Sequence, residues 1–299
     1  MNIIGAGLSG LLCGAMNPGS TIYEAQKSLP NNHGAILRFR DDKISRALNI
    51  PFKKVRVRKG IWIPRKGFVH PAINLSNMYS RKCTGEFGAR SIDNLDTVTR
   101  YIAPDDFIQQ LADRCEIRYG HYWGLAFANK AKPTISTIPL PVMLKAVLDF
   151  PELDVETAAF KRQPIWSRTF EFQNTNLYQT IYFPDPSQPL YRASFTGNKM
   201  ICEYTSDDRE CPLTAFGMGD ALWVGSGVQV KRQEYGKIIE IPSEQRRAII
   251  GHLSHKHNIY SLGRYATWRN ILLDDVFDDI RVIQRLMRMD EYSHRIEAS

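Results

Sequence analysis

Asn2-Ile3-Ile4-Gly5-Ala6-Gly7-Leu8-Ser9-Gly10-Leu11-Leu12-Cys13-Gly14-Ala15-Met16 opens the chain, and Thr21-Ile22-Tyr23-Glu24 follows. A minimal apolar strand runs into a glycine turn, then a helix whose small residues can face a sheet, then a second strand ending in an acid. Each glycine has a physical task. Gly5 permits a tight turn, Gly7 lets backbone approach a pyrophosphate, and Gly10 lets the helix pack closely while its N-terminal amides and dipole hold phosphates. Glu24 stands nineteen residues after Gly5, placed to accept hydrogen bonds from an adenosine ribose and to repel a 2′-phosphate. Strand, turn, helix and acid together predict a dinucleotide site, where a lone GxGxxG would say little. No second such motif follows a strand downstream: Gly217-Met218-Gly219 and Gly225-Ser226-Gly227 lack the third glycine. A separate NAD(P)H domain is therefore not expected.

With 299 residues, 43% hydrophobic and 23% charged, the composition excludes a disordered chain. No apolar run reaches about 18 residues; Ile135 to Leu148 is interrupted by Pro139, Pro141 and Lys145. Met1 to Met16 has no Lys or Arg ahead of its apolar run, so it reads as structure rather than as a signal peptide. No membrane association is expected, and the expected location is the cytoplasm. The five cysteines are an odd number without CxxC spacing, which points to thiols and to no metal site. His252, His255 and His257 have a spacing that could bind a metal, but they read as a solvated helix-to-loop stretch.

Net charge is +8, and it is concentrated. Arg38 to Lys66 holds eleven Lys and Arg against Asp41 and Asp42, a local +9. A polyanionic partner is one reading; a solvated face paired with acids elsewhere is the other. Within the segment, Val55 and Val57 alternate with Lys54, Arg56 and Arg58. As a strand this turns the three cations to one face, a basic stripe expected on the substrate side and a candidate nucleic-acid contact. Trp62, Phe68, Tyr79 and Tyr122-Trp123 lie near this run. They suit a base-stacking surface, a cofactor wall or ordinary core, and Trp62 is taken as a substrate-side candidate.

The motifs also resemble a known superfamily. GxGxxGxxxG with a Glu ending the second strand, followed by Asn31-Asn32-His33-Gly34-Ala35, resembles FAD-binding flavoproteins. The resemblance implies that Leu8, Ser9, His33, Gly34 and Ala35 join Gly5, Gly7, Gly10 and Glu24 around FAD. Asn258 to Arg269 and Leu273-Asp274-Asp275-Val276 resemble the C-terminal flavin motif of UDP-galactopyranose mutases, with Gly263, Arg264, Arg269, Asp274 and Val276 in the same relative register. Thr134 to Pro141 resembles the strand and Pro-x-Pro segment of amine oxidases, protoporphyrinogen oxidases and the mutases. Tyr182-Phe183-Pro184-Asp185-Pro186, with Pro189-Leu190-Tyr191-Arg192, resembles their paired substrate-domain strands.

What this implies is an α/β fold: a Rossmann-like FAD-binding domain (1–40, 115–145 and 245–299) with an interleaved antiparallel β-sheet substrate domain (41–114 and 146–244). Strands are expected around Phe170 to Phe172, Tyr178 to Phe183, Leu190 to Phe195, Lys199 to Tyr204 and Ala221 to Val224. Tyr182, Tyr191, Arg192 and Arg269 are the implied substrate-side residues, with the arginines clamping a phosphate or carboxylate unless Asp274 or Asp275 pairs with them. No catalytic base is identifiable. In size and motifs the chain also looks like flavoenzymes that phages encode for thymidine hypermodification. The expected function is therefore FAD-dependent oxidation and cleavage of a C–N bond of an amine, an amino-acid-modified thymine in DNA, leaving an aminomethyl base. The alternatives are a mutase-like nucleotide-sugar enzyme using reduced FAD, and a non-catalytic FAD-bound module that binds nucleic acid. Oligomeric state is not legible.

Overall fold

The structure is a computed structural model that describes residues 1–29, 37–88, 92–121, 132–147, 160–173, 175–208, 210–219 and 229–297, with side chains through 288. In chain order the first elements are β1 (Asn2–Ile4), α1 (Leu8–Ala15), β2 (Thr21–Glu24), β3 (Arg38–Phe39), α2 (Lys43–Leu48), β4 (Lys53–Ile63) and β5 (Gly67–Val69). Next come α3 (Ile73–Thr84), β6 (Val98–Ile102), α4 (Phe107–Ala112), β7 (Glu116–Tyr119), β8 (Thr134–Ser136) and α5 (Leu140–Ala146). The chain continues with β9 (Arg162–Glu171), β10 (Leu177–Tyr182), β11 (Leu190–Gly197), β12 (Lys199–Tyr204), β13 (Gln229–Ile238), α6 (Ser243–His257), β14 (Ile259–Ser261) and α7 (Leu273–Glu297).

The first sheet has the order β14-β8-β1-β2-β7, and every pairing is parallel. Parallel strands need crossovers and are covered on both faces, and their side chains alternate accordingly. Ile3, Ile22 and Ile135 pack with Leu11 and Leu12 of α1, Phe107 and Leu111 of α4, and Val276, Phe277 and Ile280 of α7. Ile4 and Ile259 face the other way, onto Leu140, Met143 and Leu144 of α5, Ile249 and Leu253 of α6, and Trp268. The strands of this sheet come from residues 2–24, 116–136 and 259–261, while β3 at 38–39 belongs to the second sheet.

The second sheet has the order β13-β9-β12-β11-β10-β4-β6-β3, with β5 added to β4. It differs from a purely antiparallel sheet at one place, where β4 runs parallel to β10. Its outer face buries Phe170, Ile181, Ala193, Phe195, Met200 and Cys202 under a short 3-10 turn, Leu213–Phe216. Lys82 of α3 ties this sheet's turn down, with Nζ donating to the carbonyls of Phe183, Asp185 and Leu190 at 2.6–2.8 Å.

Several elements go beyond the sequence expectation. β13 carries Lys231, Gln233, Glu234 and Lys237, so it has no apolar alternation to betray it; its polar face lines a cavity rather than a core. The expected strand at Ala221 to Val224 lies outside the described residues. Among the described residues, no helix is long and apolar enough to cross a membrane, and no three metal-ligating side chains converge. All five cysteines are free thiols.

Candidate functional site

The glycine turn is built as its spacing requires. Gly5 has φ +93° and its amide donates to Tyr23 O at 2.8 Å, while Thr137 Oγ1 donates to Ile4 O at 2.7 Å and latches the turn to β8. A Cβ on Gly10 would lie 2.0 Å from Gly5 O, and one on Gly14 would lie 2.7 Å from Cys115 Sγ. Gly7 is different. It caps α1 and has no protein atom within 4 Å of where its Cβ would stand. Its open side is the wall of a cavity of about 790 Å³, within the range of about 300–1,000 Å³ for cofactor-sized sites.

The far end of the chain completes the same wall. Gly263, at φ +92°, lies so close to Ser9 that a Cβ would be 2.4 Å from its Oγ. Arg264 and Tyr265 line the cavity beside Leu8, with the Arg264 guanidinium donating to Asn270 Oδ1 at 3.0 Å. Asp274, in the first turn of α7, also lines it and is 1% exposed. Its Oδ1 accepts the Arg40 amide at 3.0 Å, whereas Oδ2 has no hydrogen bond, with Arg40 Nε 3.6 Å away. Burial pushes this carboxyl above its ordinary range. An open glycine cradle at a helix N-terminus and a buried carboxylate oxygen still lacking a donor fit a dinucleotide cofactor in this space. Glu24 is buried at the end of β2, and its two oxygens accept the Ala6 amide at 2.7 Å and the Gln26 amide at 2.9 Å. The acid therefore also fixes the glycine turn. His33, Gly34 and Ala35 lie outside the described residues.

The opposite wall is the inner face of the second sheet. Tyr182 and Arg192 are both on it, but Arg192 is paired with Glu203 of β12 rather than with Asp274 or Asp275. Burial pushes Glu203 up, and Arg192 and Lys237 outweigh that, holding it below the ordinary carboxylate range. Tyr191 is fully buried one layer behind, its hydroxyl donating to Glu203 at 3.2 Å.

Three expectations are corrected. Arg269 does not reach the cavity, because Asp279 of α7 and Thr267 Oγ1 hold its guanidinium. Trp62 turns to the outer face, edge-on to Phe68 with ring centroids 5.1 Å apart, and packs on the outer core. The stripe Lys54, Arg56 and Arg58 does share one exposed face of β4, but that face points away from the cavity. Strand alternation sends Val57 and Lys59 inward instead.

Residues that sequence reading missed complete the inner wall. Arg38 of β3, at the edge of the second sheet, reaches across to β10 and β11, donating to Thr196 Oγ1 and Thr180 Oγ1, both at 2.9 Å, and to Phe195 O. Burial and then Arg192 bring it down to about 10. Arg38 and Lys59 were counted in the basic segment, yet only chain direction separates them from its outward members. Lys237 of β13 is 7% exposed, with Nζ 4.9 Å above the Tyr191 ring. Burial, then Arg192, brings its amine down to about 7. Among the described residues, the cavity is lined by seven cations (Arg38, Lys59, Arg100, Arg192, Lys231, Lys237, Arg264) and three carboxylates (Glu203, Glu234, Asp274). Such a wall favours an anionic ligand.

Lys237 also makes stability depend on pH. Below about pH 7 the lysine is protonated in folded and unfolded chains alike, and the folded state carries the cost of the buried charge. Between about 7 and the unfolded value near 10.4 the unfolded chain binds more protons, so stability rises with pH. Urea midpoints at several pH values are expected to show this rise in the wild type and a smaller one in Lys237→Met. Equal slopes in the two proteins would remove Lys237 as its source.

No protein-family model matches the chain, and no curated protein matches it by sequence. Solved structures do resemble it. A reduced UDP-galactopyranose mutase has a TM-score of 0.63 at 13% identity, covering 96% of this chain and 95% of that one. A fatty acid isomerase from P. acnes, which produces CLA, has a TM-score of 0.59 at 13% identity, covering 95% and 97%. An oxidoreductase from Methanosarcina mazei has a TM-score of 0.56 at 9% identity, covering 95% and 99%. At these identities the likeness shows the fold: a Rossmann-type sheet with a curled mixed sheet set into it.

Proposed function

We propose that the chain is an FAD-dependent enzyme that oxidises and cleaves a C–N bond of an amine carried on a phosphate-bearing substrate. The substrate we favour is an amino-acid-modified thymine in DNA, whose oxidised C=N bond water hydrolyses to an aminomethyl base and a carbonyl fragment. The observation that carries this reading is the basic inner wall facing the glycine cradle, Arg38, Lys59, Arg100, Arg192, Lys231 and Lys237 against Glu203 and Glu234 among the described residues. Gly5 to Gly10, Glu24, Gly263, Arg264 and Asp274 would hold FAD, which when bound supplies a two-electron acceptor for C–N oxidation. Arg38, Lys59 and Arg100 draw the phosphate of the substrate to the sheet. Lys237, close to half-protonated at neutral pH, accepts the proton of the substrate's ammonium group and leaves the amine neutral, the form that can be oxidised. Arg192 stays paired to Glu203, which fixes the position of its guanidinium against the substrate. A base within a duplex would have to be flipped out to reach this wall.

The fold shared with a UDP-galactopyranose mutase supports a second reading, a nucleotide-sugar enzyme that works with reduced flavin and no net redox. One experiment separates them. Purified holoenzyme mixed anaerobically with DNA bearing amino-acid-substituted thymine is expected to lose its oxidised-flavin absorbance and to release an aminomethyl base. Turnover of UDP-galactopyranose only after dithionite reduction, without bleaching by the DNA, would replace this reading with the second. No response to either, with DNA still bound, would mean a non-catalytic flavin-bound module.

A further inference from the structure

The basic segment does not act as one patch. Arg40 pairs with Asp274 and Asp275, Lys43 with Asp41 and Asp278, and Arg46 with Asp42. Lys53 donates to Tyr178 OH at 2.9 Å, and Arg38 and Lys59 face the cavity. Lys54, Arg56 and Arg58 are left over on β4, and Arg65 and Lys66 in the turn between β4 and β5. The three on β4 are exposed, and among the described residues none of them makes a hydrogen bond or ion pair with protein. Val55 and Val57, 8% and 3% exposed, lock the strand's other face down, so the three cations cannot turn inward.

Their neighbours are chosen in the same sense. β6 runs antiparallel to β4, with Thr99 opposite Arg56 and Tyr101 opposite Lys54. Lys54, Arg56, Thr97 and Thr99 line a shallow groove of about 450 Å³. On the other side, Gln179 of β10 lies opposite Arg58. Asp96, the residue before Thr97, accepts from Asn94 Nδ2 at 2.9 Å. A file of unpaired cations repeating every second residue, about 6.8 Å apart, with hydroxyls alongside, suits a ligand whose charges also repeat along a line.

We propose that this outer face of β4 and β6 is a docking track for the phosphate backbone of DNA, separate from the cavity. DNA, rather than another linear polyanion, rests on the function proposed above; the position and charge of the track do not. Phosphate contacts of this kind position a duplex without reading its sequence. Three such contacts release counterions, giving a contribution of about −2.7 to the slope of log affinity against log salt.

The test is the affinity of the flavin-loaded full chain for a labelled duplex of random sequence, measured between about 50 and 200 mM salt. Lys54→Ala/Arg56→Ala/Arg58→Ala is expected to make the slope shallower by about 2.7, so that three contacts' worth of salt sensitivity, about 40-fold over that range, disappears. The charge-keeping variant Lys54→Arg/Arg56→Lys/Arg58→Lys is expected to retain the wild-type slope. Circular dichroism and flavin content check that the alanine variant is folded. An unchanged slope in the folded alanine variant overturns the track, as does a wild type that binds no duplex, or one that binds phosphatidylserine vesicles through these residues and not DNA. The two proposals fail separately. Duplex bound through the stripe without flavin bleaching by modified DNA removes the proposed reaction and leaves the track. Bleaching with an unchanged slope does the reverse.

Discussion

Gly10→Ala is expected to destabilise the folded chain by about 3 kcal/mol or more, whereas Gly7→Ala, three residues away, leaves stability near wild type and loses flavin. The new Cβ at position 10 would stand 2.0 Å from Gly5 O and 3.2 Å from Gly5 C. Both are backbone atoms of a turn held by Tyr23 O and Thr137, so nothing flexible can give way. Overpacking of this kind belongs to the upper end of single-substitution effects. At position 7 the same methyl meets no protein atom within 4 Å and projects into the cavity wall. Its cost falls on whatever approaches that backbone, about 5- to 140-fold in flavin affinity if the clash is worth about 1–3 kcal/mol. Urea denaturation of the flavin-free proteins and flavin content after purification read the two effects independently. A Gly7→Ala protein that retains wild-type flavin would remove the glycine turn from the cofactor site.

Arg192→Ala is expected to cost about 3 kcal/mol, because it strands Glu203 on the inner wall. Removing one partner of a buried ion pair leaves a charge without compensation, typically worth about 3–5 kcal/mol. The lower end applies here, since 33% of the Arg192 side chain is exposed to the cavity and Tyr191 still donates to Glu203. The sign of its pH dependence follows. With Arg192 gone, only Lys237 and the Tyr191 hydroxyl still oppose burial, so the folded pKa of Glu203 rises relative to wild type and the deficit shrinks as pH falls. Replacing both partners, Arg192→Met with Glu203→Met, is expected to restore most of the stability while weakening anionic ligands. Denaturation midpoints of the single and double variants at pH 5 and 8 form the check. A single variant as stable as the double would mean that the pair contributes nothing beyond its separate side chains.

How much was legible varied with the range of the interaction that decided it. The opening strand, turn and helix could be read from Asn2 to Met16 because their requirements are local: a positive φ at Gly5, no Cβ at Gly10, an apolar run behind. The strands β10, β11 and β12 were also visible, since each buries alternate side chains in the outer core. β13 was not, because its inward face is wet and charged and leaves no apolar rhythm. Arg269 could be placed near the cofactor by its register, but its partner Asp279 lies on a helix whose angle to the turn is set by packing. Glu203 and Lys237 gave no signal at all, since an isolated charge in a strand looks the same whether it faces solvent or a cavity.

The sequence by itself determined the glycine turn, the parallel sheet that follows from it and the alternation of Val55 and Val57 with three cations. These rest on backbone sterics and on side-chain period, which neighbouring residues settle among themselves. Only the tertiary structure decided that Gly263 closes on Ser9, that Arg38 and Lys59 join Arg192 around one cavity, and that Lys54, Arg56 and Arg58 turn their backs to it. The period of a strand divides its residues between two faces. Which face meets the cavity depends on how the second sheet curls, bringing its edge strand β3 onto β10 and β11 through contacts more than a hundred residues apart, Arg38 with Thr180 and Thr196.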